Sequence, residues 1–196
     1  MAAIISKENE TGKIYVRGYD KDGRALMYMR PGRENTVGQE QNNMRHLVFQ
    51  LEKAIACSRK HDMGKICLVI DYDGFTLRNA PPFSASRRTL EILQHHYPER
   101  MYRAYVCNPP FLFRSFWALI KPFVDPVTKQ KICFCSGKAG MAQIVDDVGG
   151  PTKARHLEPC AGGTDPLREF NSYEYLHLPF DLTFDELPAA AKSSNE

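Results

Sequence analysis

Nowhere in its 196 residues does the chain stay apolar for the ~18–20 residues of a membrane-crossing helix. The longest approach, Phe111 to Val124, is interrupted by Arg114, Ser115, Lys121 and Pro122. A bitopic membrane protein is therefore not expected. The N-terminus, Met1 to Glu8, lacks the basic lead and long apolar stretch of a secretory signal, which points to a cytoplasmic protein. The 13 glycines and 13 prolines follow no period, and 43% of residues are apolar, so a collagen-like repeat and general disorder are excluded. Charge of one sign is scarce: a formal net +3 gives no reason to expect nucleic acid and is compatible with visits to an anionic membrane surface. Six cysteines are present, but Cys57, Cys67, Cys107 and Cys133 lie inside apolar segments, where a reduced thiol behaves as a small hydrophobe. No zinc-ligand spacing surrounds Cys133 and Cys135, and no metal site is expected.

What is there reads as one α/β domain. Ile14–Val16 and Ala25–Met29 flank Asp20-Lys21-Asp22-Gly23, whose Asp-Gly supplies the positive φ of a hairpin. Apolar residues recur at helical spacing from Asn42 to Ser58, with Asn42 or Asn43 available as cap. Ile66-Cys67-Leu68-Val69-Ile70 is the continuous β-favouring run of a strand covered on both faces. Next come a helix capped by Ser84 or Ser86, a strand over Tyr102–Val106, and a helix from Pro109 or Pro110 to about Phe123. A strand over Lys131–Cys135 and a helix ending at Gly149-Gly150 complete the alternation. This order predicts a mixed, largely parallel sheet. Tyr173 to Leu182 reads as extended chain lying on the surface, and Ala189 to Glu196 as a frayed tail.

One helix is too apolar for a single buried face. On a helical wheel Arg114, Ser115, Ala118 and Lys121 make a narrow polar stripe, while Phe111, Phe113, Phe116, Trp117, Leu119, Ile120, Phe123 and Val124 cover the rest. The surplus needs a second apolar partner. A central helix enclosed by protein would satisfy it, and so would a lid between an internal cavity and a bilayer. The only tryptophan of the chain and its phenylalanines stand beside two cations, the composition of an interfacial segment, and Pro122 loosens the backbone where a hinge would sit.

The runs Tyr97-Pro98-Glu99-Arg100-Met101, Asn108-Pro109-Pro110-Phe111 and Ile120-Lys121-Pro122-Phe123-Val124-Asp125-Pro126-Val127-Thr128-Lys129 resemble the core pattern of CRAL-TRIO lipid-binding domains, carriers of phosphatidylinositol, tocopherol and retinaldehyde. The likeness extends from about Lys13 to Gly163, with 164–188 as an appended segment. It implies a sheet flooring a hydrophobic cleft, closed by a mobile gate helix over Phe111 to about Thr128. The ligand would be one lipid, a phospholipid such as phosphatidylinositol, exchanged or sensed at membranes with no bond made or broken, and no cofactor beyond that lipid. Two acyl chains of ~30 methylenes carry ~24 kcal/mol of transfer free energy, so exchange through water is prohibitive and a greasy gate is required.

The expected gate and cavity residues are Phe111, Phe113, Phe116, Trp117, Ile120 and Phe123, over a floor of Leu68, Ile70, Ile132 and Phe134. Residue chemistry offers Arg114, Lys121, Lys129 and Arg155 for a headgroup phosphate. Family members carry a helical subdomain before the first hairpin, whereas twelve residues precede Lys13 here. A regulatory lipid-sensing module of a larger protein, working with other domains, is the second expectation. A third is a magnesium-dependent phosphatase: Val69-Ile70-Asp71-Tyr72-Asp73-Gly74 also resembles the first motif of the haloacid dehalogenase superfamily. There Asp71 would be the nucleophile, Asp73 the acid/base, Asp146 and Asp147 metal ligands, and Lys121 or Lys138 the phosphate's counter-charge.

Overall fold

In the computed structural model, residues 1–76, 78, 80–111 and 113–186 are described, without the side chain of Arg114. The tail expected over 189–196 lies outside them. Helix α1 (Ala2–Asn9) precedes the hairpin β1 (Ile14–Tyr19) and β2 (Ala25–Met29). Gly23 takes φ +92° at its turn, and the Asp20 carboxylate accepts from the backbone N–H groups of Asp22 and Arg24 at 3.0 and 2.8 Å. Then follow α2 (Glu40–Arg59), β3 (Ile66–Asp71), α3 (Phe83–His96), β4 (Met101–Cys107), α4 (Phe113–Ile120), α5 (Pro126–Lys131), β5 (Ile132–Cys135), α6 (Gly137–Asp147), α7 (Pro151–Ala154) and α8 (Ser172–His177). The sheet runs β1-β2-β3-β4-β5, antiparallel in its first pair and parallel thereafter. That is the mixed, largely parallel sheet the alternation predicts.

Strand alternation divides the core into two layers. Tyr15, Leu26, Tyr28, Cys67, Val69 and Tyr105 pack against Ile144, Val148, Leu157, Tyr175 and Phe184. Val16, Met27, Leu68 and Ala104 face the other way, toward Leu47, Leu51 and Ile55 of α2. All six cysteines are free thiols, as their apolar settings suggest.

Several local expectations are corrected. Helix α2 starts earlier, with Gln39 at the N-cap position and no side-chain cap, while Asn42 and Asn43 lie inside the first turn and Asn43 is drawn into a buried polar cluster. Helix α3 starts after Pro82, with Ser86 bonded back to the Pro82 carbonyl instead of capping. The helix expected from Pro109 begins only at Phe113, and Pro122 sits in a separate 3-10 turn, Lys121–Phe123, where its missing N–H costs no helical bond. The Tyr173–Leu182 segment is not extended surface chain. Asn171 caps α8 by accepting from Glu174 N at 3.1 Å, and Tyr175 is completely buried, its hydroxyl on Gln50 Oε1 at 2.6 Å.

A buried polar layer ties α1 and α2 together. His46 Nε2 lies 3.0 Å from Asn9 Oδ1 and 2.9 Å from Gln50 Nε2, and burial, helped by the nearby Lys13 ammonium, pushes the imidazole down to about 3 from the usual 6.5. The unfolded chain therefore binds a proton between those values that the folded chain refuses. This contribution to stability is complete above pH 6.5 and declines as the pH falls toward 3. Between pH 7 and pH 4.5 it amounts to on the order of 2–3 kcal/mol. Urea unfolding of the wild type and of His46→Met at both pH values is expected to show that extra loss in the wild type only; equal losses would refute it.

Candidate functional site

Helix α3 carries a clear apolar stripe, yet none of its residues is buried. Its inner face, Ala85, Thr89, Leu90 and Leu93, looks across a gap toward the sheet. The gap is a cavity of about 910 Å³, at the upper end of the range of ligand pockets. Its floor is the α2-facing side of the central strands, Leu68, Ile70, Ala104, Val106 and Ile132, which the parallel register sets side by side. Leu47 and Leu51 of α2 close one wall, and Phe113, Phe116, Trp117 and Ile120 of α4 form another.

The structure thus brings seven of the ten expected gate and floor residues to one cavity: Leu68, Ile70, Ile132, Phe113, Phe116, Trp117 and Ile120. Phe111, Phe123 and Phe134 stand outside its lining. Phe111 is 87% exposed just before α4. Phe123 turns outward against the Phe83 ring, 6.1 Å between centroids, with the Arg87 guanidinium 4.9 Å above it. Phe134 sits on the edge strand with its ring 5.5 Å from Trp117 and 6.0 Å from Phe113. Together with Leu119 and Val127 these side chains give the α4–α5 segment an exposed apolar outer surface.

Of the four headgroup cations, Lys121, Lys129 and Arg155 do not line the cavity, and the Arg114 side chain is not described. Arg155 is exposed and faces Asp165 at 3.5 Å. The cations at the cavity rim are instead Lys13, Arg30, Arg100 and Lys131. Lys13 is 4% exposed and reaches Glu8 at 2.5 Å, Glu34 at 2.7 Å, Thr36 at 2.8 Å and Asn43 at 2.6 Å. Burial alone would raise the Glu34 carboxyl, but the hydrogen bonds from Lys13 and Thr36 outweigh it and hold the pKa below its ordinary value. Arg30 pairs with Glu158, which also accepts from Tyr15 and Arg17 at 2.5 Å each. Those donors overcome burial and keep the Glu158 carboxyl low as well.

Two contributions had no local sequence signal. Lys13 and Glu8 read as ordinary surface charges until α1 folds onto α2. Gln94 of α3 donates to the Phe123 carbonyl at 3.1 Å and accepts from Asp125 N at 3.1 Å, tying α3 to the junction between the 3-10 turn and α5. Its partners lie about thirty residues away and are backbone groups, which no side-chain pattern announces.

The phosphatase constellation is not assembled. Asp71 accepts from Asn108 Nδ2 at 2.9 Å and from Asp73 N at 3.2 Å, closing the strand-to-loop junction. Asp147 accepts from Arg103 and Tyr105 at 2.7 Å each, while Asp146 is exposed. Among the described residues, no three His, Cys, Asp or Glu side chains are placed to share a metal ion.

An open sheet with an apolar cleft between its central strands and a helical cover is the arrangement the sequence motifs imply, and the CRAL/TRIO domain model matches residues 9–148. The chain belongs to the CRAL/TRIO domain family. This CRAL/TRIO chain is 42% identical over 130 residues to a CRAL-TRIO domain-containing protein of Schizosaccharomyces pombe, covering 66% of the chain and 13% of that protein. It is 35% identical over 135 residues to the phosphatidylinositol transfer protein PDR17 of Saccharomyces cerevisiae, 66% of the chain and 38% of that protein. To the SEC14 cytosolic factor of Candida glabrata it is 31% identical over 175 residues, 83% of the chain and 56% of that protein. The chain thus matches between 13% and 56% of the length of these relatives. In fold it is similar to the crystal structure of Sfh5, with a TM-score of 0.54 at 22% identity, covering 68% of this chain and 54% of that one.

Proposed function

We propose that the cavity holds one amphipathic lipid, phosphatidylinositol first among the phospholipids, and that the domain exchanges it with cytoplasmic membrane surfaces without chemical change. The observation that carries this reading is the unfilled, apolar-walled space between α3, α4 and the sheet. The names of the PDR17 and SEC14 relatives, a phosphatidylinositol transfer protein and a cytosolic factor, favour a phospholipid and a cytosolic setting. Among the described residues no helix is long and apolar enough to cross a membrane, so contact with the bilayer would be peripheral and transient.

Residues 111–128 are the proposed gate. Three features support it: apolar side chains on both the cavity side and the outer side, a break in the helix at Lys121–Phe123, and attachment to α3 through Gln94. Opening would let Phe111, Leu119 and Phe123 enter the interfacial layer while the lipid slides out beneath them. Headgroup contacts by Arg114, Lys121, Lys129 or Arg155 would require the open gate or the membrane-bound state. A second reading, lipid sensing inside a larger protein, draws on the small share of the Schizosaccharomyces pombe relative that the chain matches. Donor-to-acceptor vesicle assays separate the two, because a sensor loads lipid without catalysing exchange.

Phe116 and Trp117 provide the direct test of the gate. Replacing both by alanine removes ~2–4 kcal/mol of apolar contact, so lipid exchange is expected to fall about tenfold or more, with the thermal midpoint nearly unchanged. A collapse of stability with normal exchange by the remaining folded protein would make α4 ordinary core.

A further inference from the structure

The cavity wall contains a tyrosine, Tyr72, near the start of α4. Tyr72 follows the last residue of β3 and extends the ladder by one bond, its N–H donating to the Cys107 carbonyl at 3.0 Å. This fixes the side chain in the cavity wall at the α4 end. Its ring is wedged edgewise between Phe75, 5.4 Å away, and Phe113, 4.9 Å away. Among the described residues its hydroxyl has no hydrogen-bond partner, and burial alone pushes the phenol up to about 12, so it stays protonated and a donor throughout the physiological range.

Five other tyrosine hydroxyls are held by the protein itself. Those of Tyr15, Tyr19, Tyr97, Tyr105 and Tyr175 each donate to a carboxylate or amide oxygen at 2.5–2.8 Å. Tyr28 also lacks a partner, but it lies in the core on the opposite face of the sheet, away from the cavity. The Tyr72 hydroxyl, unlike that of Tyr28, is not sealed from water, so a ligand that displaces water there must supply an acceptor or leave the donor unpaired at a cost. A single neutral donor does not offset a buried phosphate charge. It does match the one-acceptor demand of an uncharged ester carbonyl.

We infer that Tyr72 is a specificity-determining contact of this cavity, donating a hydrogen bond to an acyl-ester carbonyl and so selecting ester-linked over ether-linked lipids. The inference rests on the lipid-binding reading above. It sets the depth of the ligand: the glycerol–acyl junction lies beneath the start of α4, the acyl chains run along the floor past Ala104 toward Leu51, and the headgroup points out past Phe113.

The test uses the full chain, wild type and Tyr72→Phe, incubated with vesicles holding diacyl and dialkyl-ether forms of phosphatidylinositol and of phosphatidylcholine at equal mole fraction. Protein-bound lipid is extracted and quantified by mass spectrometry. The wild type is expected to favour diacyl over dialkyl forms by about two- to tenfold, the range of one net hydrogen bond, and Tyr72→Phe is expected to bring the ratio to one without lowering lipid per protein below half. The thermal midpoint of lipid-free Tyr72→Phe should equal or exceed that of the wild type, since the hydroxyl holds nothing in the protein; a clear drop would assign it a structural role and overturn the inference. A ratio of one in the wild type, or an unchanged ratio in the variant, would also overturn it. Folded wild type that extracts no lipid of any kind would overturn the lipid-binding reading itself, a result distinct from loss of selectivity.

Discussion

Ala104→Trp is expected to empty the cavity of ligand: organic extracts of the purified variant should carry less than about a tenth of the lipid found with the wild type, at unchanged far-ultraviolet circular dichroism. Ala104 is the low point of the floor, flanked in register by Leu68 on β3 and Ile132 on β5. It lines the cavity, but it is only 4% exposed and packs in the same layer as Leu68, Leu47 and Leu51. An indole there projects from the floor toward α3 and α4, where an acyl chain would lie, at the ~1–3 kcal/mol cost usual for overpacking. The lost ligand contact outweighs that cost, because each methylene kept from the cavity forfeits ~0.8 kcal/mol. Full lipid loading by a folded Ala104→Trp would move the ligand to another part of the molecule.

Lys13→Met carries the largest expected cost to stability, about 3–5 kcal/mol in chemical unfolding at neutral pH. Among the described residues the ammonium is the only cation shared by the Glu8 and Glu34 carboxylates, and Glu8 is itself 1% exposed. Removing it leaves two acids that share the Thr36 hydroxyl as donor but have no opposing charge in a low-dielectric layer. The effect has a pH signature. With Lys13 present, the lowered Glu34 pKa contributes stability above the ordinary glutamate value that is lost as the pH falls through the folded one. In the variant the acids take up protons more readily in the folded state, so that acid-side loss should shrink or reverse. A double variant, Lys13→Met with Glu8→Gln, should recover part of the deficit. A Lys13→Met midpoint equal to the wild type would show the cluster to be solvated and energetically neutral.

These two sites differ in how far they could be read from the chain. Leu68, Ile70 and Ile132 are placed on the floor by strand runs that local sequence specifies, and the helical wheel of 111–124 marks α4 as an element needing two apolar partners. The wheel could not assign the partners. Phe113 and Ile120 turn in, whereas Phe111 and Phe123 turn out, because the helix starts three residues late and ends before Pro122. Each shift of one residue rotates a side chain by about 100°, so an error at a helix boundary becomes an error of facing. The cations stand away from the cavity lining for a different reason: Lys121, Lys129 and Arg155 carry the right charge, but nothing in a local window encodes distance from a cavity built by four separate elements.

By itself, the sequence determined the strand-and-helix alternation, the hairpin at Asp22-Gly23, the reduced thiols and the family motifs from Tyr97 to Lys129, since each is a property of neighbours along the chain: side-chain periodicity, backbone preference, or a contiguous pattern. Tertiary structure alone decided that Lys13 would sit between two acids, that Tyr175 would enter the core instead of resting on the surface, and that α3 would stand off from the sheet to leave a cavity. Burial and pairing are set by elements far apart in the chain, as when the Tyr175 hydroxyl accepts from Val16 N across 159 residues, and such meetings exist only once the chain has closed on itself.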